Sequence, residues 1–173
     1  MSYASKTAVA ISSLVAAIAL ATELAAAGDR YSDAVWNVVS GLFGDSATAG
    51  LGSNPDLSGG GRRTLLEYVA GKSICVDSGH GCPLVVLTPD GDGLRAIGVI
   101  RPVWLPVVAS AAKTNGWADL IYWADADRRA SRRYAVARFD GVEYVPDAYP
   151  PSQETLRSQA AAGKVVLAEP LNR

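Results

Sequence analysis

One histidine and two cysteines are the residues that first suggest covalent chemistry in this chain. All three fall in one short stretch, Cys75-Val-Asp-Ser-Gly-His-Gly-Cys82-Pro83. His80 is the sole imidazole, so any Ser–His or Cys–His mechanism must use it. Asp77, Ser78 and His80 supply the three letters of a catalytic triad. Neighbours this close along a chain do not converge in nucleophile–base–orienter geometry. The two cysteines are better read as a disulfide: the count is even, six residues lie between them, and two of those are glycine. Closing so short a loop stabilises the fold by about 2.5 kcal/mol in the chain-entropy account. Pairing would also silence Cys82 as a nucleophile. A zinc centre needs more ligands than Asp77 and His80 offer, and a redox pair favours two intervening residues.

Three other groupings invite chemistry. Asp90-Gly91-Asp92-Gly93 offers two carboxylates, weak calcium candidates at Asp90 and Asp92, with Asp125 and Asp127 at another tip. A competent calcium loop needs about six to eight oxygens, and the stretch lacks a closing glutamate, so a plain turn is expected. Arg128, Arg129, Arg132 and Arg133, with Arg138 nearby, form a basic cluster. Planar guanidinium groups of this kind hold carboxylate or phosphate groups bidentately, which makes the cluster a candidate partner-binding patch. Phe43-Gly44-Asp45-Ser46 with Asp77-x-x-His80 is similar to pieces of the GDSL-type hydrolase signature. Only 33 residues separate Ser46 from His80, whereas that family spreads them across a doubly wound sheet. No catalytic residue, metal or cofactor is assigned.

The elements that must position these groups follow from pattern. Residues 1–27 read as a secretory signal peptide: Lys6, an apolar run over 7–22, then Ala25-Ala26-Ala27. Cleavage is expected after Ala27. The alternative is an uncleaved membrane anchor, although the run is short of the ~20 residues a bilayer core needs. Tyr31–Phe43 carries apolar residues on one helical face. The stretch 44–61, rich in Gly, Ser and Asp, reads as a flexible linker, so 28–61 is expected to be a helix plus a linker. From residue 62 to 173 a β-rich domain is expected. Arg62–Val76 is ambiguous between helix and strand. Leu84–Thr88, Leu94–Ile100, Val103–Ser110, Trp117–Trp123 and Tyr134–Phe139 read as strands, with Pro106 forcing an edge or a bulge. Thr114-Asn115-Gly116 and Asp140-Gly141 are hairpin turns. Ser152–Ala162 is a capped helix ending at Gly163, and Lys164–Ala168 could add a last strand. Within Trp117–Trp123, alternation puts Trp117, Asp119, Ile121 and Trp123 on one face and Ala118, Leu120 and Tyr122 on the other.

The turn Cys75…Gly-Cys-Pro, the strand Thr114-Asn115-Gly116-Trp117-x-Asp119-Leu120 and the hairpin Phe139-Asp140-Gly141-x-x-Tyr144 resemble small uncharacterised exported bacterial proteins that are rich in β structure. The last two pieces also look like one blade of an integrin-type (FG-GAP) repeat. The resemblance implies an exported β fold and carries no activity with it. In the integrin-type repeat Asp and Asn side chains just before the Asp-Leu pair hold calcium. Here that stretch is Ala112-Lys113-Thr114-Asn115-Gly116, with a lysine and no aspartate.

Composition sets the outer limits. The chain has 173 residues, with 49% hydrophobic and 19% charged side chains and a net charge of −1. It is too apolar for disorder and too balanced for a general nucleic-acid binder. The expected fold class is α+β: an antiparallel meander of about five or six strands with a helix near each end and one disulfide. The expected function is an exported, periplasmic, non-catalytic binding or inhibitor module whose partner is another envelope or secreted protein. Two alternatives stand beside it: a membrane-tethered accessory subunit of an envelope complex, held through residues 1–27, and a small hydrolase or thiol enzyme using His80.

Overall fold

Branched side chains crowd the chain from Cys82 onward, and extended backbone is the conformation such residues pack best in. The computed structural model describes residues 32–76, 80–124 and 133–169. The chain divides between Asn37 and Val38 into two compact units. Of the first, residues 32–37 are described, and they are helical. In the second, the helical residues 38–43, written α1, lead into a single 3-10 turn, Gly44–Ser46. Then come β1 (Thr48–Ser53), β2 (Leu65–Ala70), β3 (Cys82–Asp90), β4 (Gly93–Thr114), β5 (Trp117–Ala124), β6 (Arg133–Phe139), β7 (Tyr144–Pro146), α2 (Gln153–Ala162) and β8 (Lys164–Leu167). The class is α+β, as expected, but the sheet has eight strands.

Two corrections explain the extra strands. Residues 44–61 are not merely a linker. They carry β1, which pairs with β2 through Leu51↔Tyr68 and Gly52↔Glu67. Glycine makes that pairing possible: a Cβ on Gly50 would collide with the Tyr68 carbonyl oxygen. The same stretch contributes Leu57, 1% exposed in the core, and its carbonyl accepts a 2.8 Å bond from the Ala118 N–H. Glycine richness, which suggests slack in a sequence, here permits close backbone approach. The sheet unit therefore begins before residue 62. The ambiguous 62–76 stretch resolves as β2, paired with β3 from Leu65↔Leu87 to Tyr68↔Leu84.

β4 organises the rest. Two expected strands merge into its 22 residues. Its first half pairs with β3 and, at Gly98↔Tyr144, with β7. Its second half pairs with β5 and, over Val107–Ala109, with β8. The expected bulge at Pro106 is present as a register shift between Trp104 and Val108. β5 pairs with β6 and β6 with β7, so β4–β5–β6–β7–β4 is a closed hydrogen-bonded circuit. The β4–β7 bridge is parallel, a departure from the all-antiparallel expectation. A single bridge needs no crossover helix, because β4 bends round to meet β7.

The core is built on this circuit. Leu66, Tyr68, Leu84, Val86, Ile100, Val103, Val107, Leu120, Tyr122 and Tyr144 belong to one buried cluster. Val108, Ile121 and Val136 form a second, closed by Leu156 of α2. β5 is buried along both faces, as expected of a central strand. Its alternation holds except at Trp117, which joins Ala118 and Leu120 in the main cluster.

Polar side chains then hold the turns. Asn115 and Gly116 take φ of 50° and 81°, the two-residue geometry that suits strand twist. The second hairpin loop is longer than the expected Asp140-Gly141 pair. Phe139↔Tyr144 closes it, and the Asp140 carboxylate accepts from the N–H groups of Val142 and Glu143 at 2.8 and 2.9 Å. Asp56 does the same for the glycine loop: it accepts from Gly59 N–H, Gly61 N–H and the Ser58 hydroxyl at 2.8, 2.9 and 3.0 Å. Lys113 donates to the Ser58 carbonyl at 3.1 Å and ties that loop to the β4–β5 hairpin.

This construction makes two tests possible. A Cβ on Gly98 would sit 2.6 Å from Tyr144 Cβ. Gly98→Ala is expected to lower stability by about 1–3 kcal/mol in urea unfolding, whereas Gly93→Ala, whose Cβ would meet only the Asp90 carbonyl oxygen at an ordinary 3.8 Å, should change it by less than about 0.5 kcal/mol. The second test concerns pH. The donors around Asp56, Gly61 N–H foremost, hold its carboxyl below the ordinary value of 3.8. A depressed folded pKa contributes stability above the unfolded value and loses it as pH falls through the folded one. The Asp56→Asn variant should therefore show a shallower loss of stability than the parent below pH 3.8, read by thermal melts across an acid series.

Candidate functional site

Each sequence-derived candidate has a definite place. Cys75 and Cys82 form a disulfide, with Cα atoms 4.1 Å apart. The staple closes the loop between β2 and β3, and Tyr68 holds its base. The Tyr68 hydroxyl donates to the Val103 carbonyl at 2.9 Å and accepts from the Cys82 N–H at 3.1 Å. Burial is the main cause that pushes this phenol above its ordinary pKa, so it stays a donor at neutral pH. Gly81, at φ 64°, leans on Trp104: a Cβ there would lie 2.5 Å from the indole.

His80 sits at the mouth of that loop with its side chain 57% exposed, Nδ1 lying 3.3 Å from Glu169 Oε1 beyond β8. Asp77 and Ser78 lie outside the described residues. His80 is thus an exposed partner of a carboxylate, beside sulfurs committed to a disulfide.

Of the basic cluster, Arg133 and Arg138 are among the described residues. Arg128, Arg129 and Arg132 lie outside the described residues. Arg133 opens β6 and is exposed, whereas Arg138 is five residues along the strand, about 16 Å away. Arg138 has Nε 3.6 Å from Asp119 Oδ2 and Nη1 3.3 Å from Asp147 Oδ2. Its guanidinium, 38% exposed, is paired with two carboxylates of its own chain. Asp119 is itself buried and accepts a 2.7 Å bond from the Thr114 hydroxyl. The strand pattern explains the meeting. Leu120 pairs with Ala137, which sets Asp119 beside Arg138, and the Asp147 N–H reaches the Val136 carbonyl at 2.9 Å just past β7.

The Asp90–Asp92 stretch is the β3–β4 turn, closed by Asp90↔Gly93 with Gly91 at φ 58°. Asp90 Oδ2 faces Arg95 Nε at 3.5 Å, so a guanidinium stands where a cation would need a free carboxylate. Among the described residues no group of three or more His, Cys, Asp or Glu side chains could hold a metal ion.

No family model, curated protein or solved structure matches the chain. The chemistry of the surface must be read from its own geometry. The feature sequence reasoning missed lies directly after β7. Asp147 Oδ1 accepts from the Tyr149 N–H at 2.9 Å, and Tyr149 is 92% exposed. An Asp-x-Tyr-Pro-Pro run was the available signal, since aspartate bonds backbone two residues on and proline stiffens the chain around it. Close by, Gln153 clamps β6 by accepting from the Tyr134 N–H and donating to its carbonyl, at 2.8 and 2.9 Å. Tyr134 in turn stacks on Trp123 at 4.0 Å between ring centroids.

Removing the cation from the carboxylate pair should be costly. Arg138→Met is expected to destabilise by about 1–3 kcal/mol, below the fully buried range because the guanidinium is partly exposed. The Arg138→Met, Asp119→Asn double variant should recover part of that loss. Chemical unfolding of the single and double variants measures the coupling.

Proposed function

We propose that this chain is an exported, non-catalytic binding or inhibitor module that acts through protein–protein contacts. The observation that carries the reading is the fate of the reactive side chains. Both cysteines are spent in one disulfide, and the sole histidine is exposed and paired with Glu169. A nucleophilic mechanism needs a base oriented against a nucleophile, and the sulfur nearest His80 in sequence is already bonded. A stapled sheet with stiff exposed turns is instead suited to present contact groups at small entropic cost. The disulfide fits an oxidising compartment. Among the described residues no helix is long and apolar enough to cross a membrane; residues 1–27, the proposed signal peptide, lie outside them. The likeness to small exported bacterial β-rich proteins points the same way.

Expression in an exporting host tests the proposal. The mature mass should begin at Gly28, iodoacetamide should label no thiol in the native protein, and a protein partner should co-purify in fixed stoichiometry. His80→Ala should alter its affinity by less than about threefold, as expected of an exposed residue outside the hot spot. Rapid alkylation of Cys82 in the native protein would instead bring forward the thiol enzyme. A retained N-terminal segment would bring forward the membrane-tethered subunit.

A further inference from the structure

We infer that Tyr149 and the two prolines after it are the segment through which this protein docks. Its occupant is a partner protein whose groove is lined by aromatic rings and N–H or O–H donors. The inference rests on the binding-module reading and names the surface and the partner chemistry.

Three observations converge on the segment. The first is exposure: Tyr149 at 92% is the most exposed of the large hydrophobic side chains described. Water surrounds a ring that would be worth burying, and tyrosine is among the residues that dominate contact energetics.

The second is rigidity. Asp147 holds the Tyr149 N–H, Arg138 holds Asp147, Asp119 faces Arg138, and Thr114 holds Asp119. A relay of polar contacts thus runs from the β4–β5 turn to the backbone of one surface residue. On the far side Ser152 caps α2, its hydroxyl accepting from the Thr155 N–H at 3.2 Å. Tyr149 and Pro150 each precede a proline, which biases both towards extended backbone. Ser152 itself sits at φ −57° and ψ 153°, in the polyproline region. The stretch is stiff and pinned at both ends, so much of the ordering cost of binding is met before a partner arrives.

The third is donor–acceptor balance. Pro150 and Pro151 have no N–H, and that of Tyr149 is taken by Asp147. Among the described residues no bond to the carbonyls of Tyr149, Pro150 or Pro151 is present. The backbone of the segment offers acceptors without donors, beside the Tyr149 phenol and an exposed proline ring, Pro150; Pro151 is half-buried. The complementary surface supplies indole N–H or phenol O–H donors and flat rings, the way extended proline segments are recognised.

The test uses the full chain, purified from an exporting host, and the protein that it retains from that host's envelope extract. Tyr149→Ala is expected to weaken that binding by on the order of 30-fold, the scale of a hot-spot residue. Pro150→Gly, which keeps the ring and loosens the backbone, should weaken it by several-fold. A synthetic peptide spanning residues 146–152 should compete. A photo-crosslinking residue at 149 should label the partner at an aromatic-rich groove, while one at Val165, also exposed, should not. Because Tyr149 touches little, its variants should keep the parent's melting curve. Equal binding by the parent and Tyr149→Ala overturns this docking site and leaves the binding-module reading standing. An adduct with a second copy of this chain overturns the partner class. If the parent retains no protein at all, both readings fall.

Discussion

A strand can serve neighbours on both edges only where nothing obstructs the approach of the backbone, and in this protein that condition is met at Gly98. Tyr144 lies so close that any Cβ would collide with it. The Gly98↔Tyr144 bridge turns the chain β4–β5–β6–β7 from an open ribbon into a circuit. Once closed, the circuit has an inside. Trp117, Phe139 and Tyr144 fill part of it with ring centroids 4.8, 5.6 and 6.2 Å apart. The Tyr144 hydroxyl reaches across to donate to the Ala118 carbonyl at 2.8 Å. Burial, with the Asp119 charge as a lesser cause, pushes that phenol well above its ordinary value. The bond therefore persists as a neutral donor throughout the physiological range.

Closure leaves a second problem, the backbone that the turns and edges expose, and side chains solve it. Tyr68, Asp56, Asp140 and Gln153 each bond backbone groups that no ladder reaches. Glu67 is the exception that costs something. It reaches the Gly50 N–H at 3.3 Å, but burial raises its carboxyl pKa above the ordinary value of 4.5. A raised acid pKa means the folded state holds its proton more tightly than the unfolded chain. Its contribution therefore opposes those of Asp56 and Asp140 on the acid side, improving as pH falls through the raised value. The edge strand β1 is held by a carboxylate that would be better solvated elsewhere.

How much of this was legible in the sequence depends on whether the signal was local. Ser152 and Gly163 bracket α2 where capping chemistry places them, the Asn-Gly turn is where φ preferences put it, and the cysteine pair forms its loop. These are decided within a few residues. β1 was illegible because its signature is the absence of side chains, and only the partner strand shows why absence is needed. The ion pairs of Arg138 were illegible for a related reason. In sequence it is one arginine among five, and nothing local reveals that Asp119 lies across the sheet or that Asp147 comes round the end of β7. Register makes those contacts, and register is a property of the assembled sheet.

The fate of Arg138 shows how such a scaffold divides its charges. A guanidinium offered to solvent is a flexible, hydrated group, and fixing it on a partner costs side-chain entropy. Arg138 meets two carboxylates of its own chain instead, and its value lies in the groups those contacts immobilise. Asp119 ties it to the β4–β5 hairpin, and Asp147 passes the constraint to the backbone beyond β7. The charges hold the scaffold, and the group left in water is an uncharged ring on a proline-stiffened turn. That allocation is a consequence of desolvation: a neutral aromatic surface gains on leaving water, whereas a charge gains only when its partner is complete. Here the cation meets two carboxylates of its own chain and the ring is left in water.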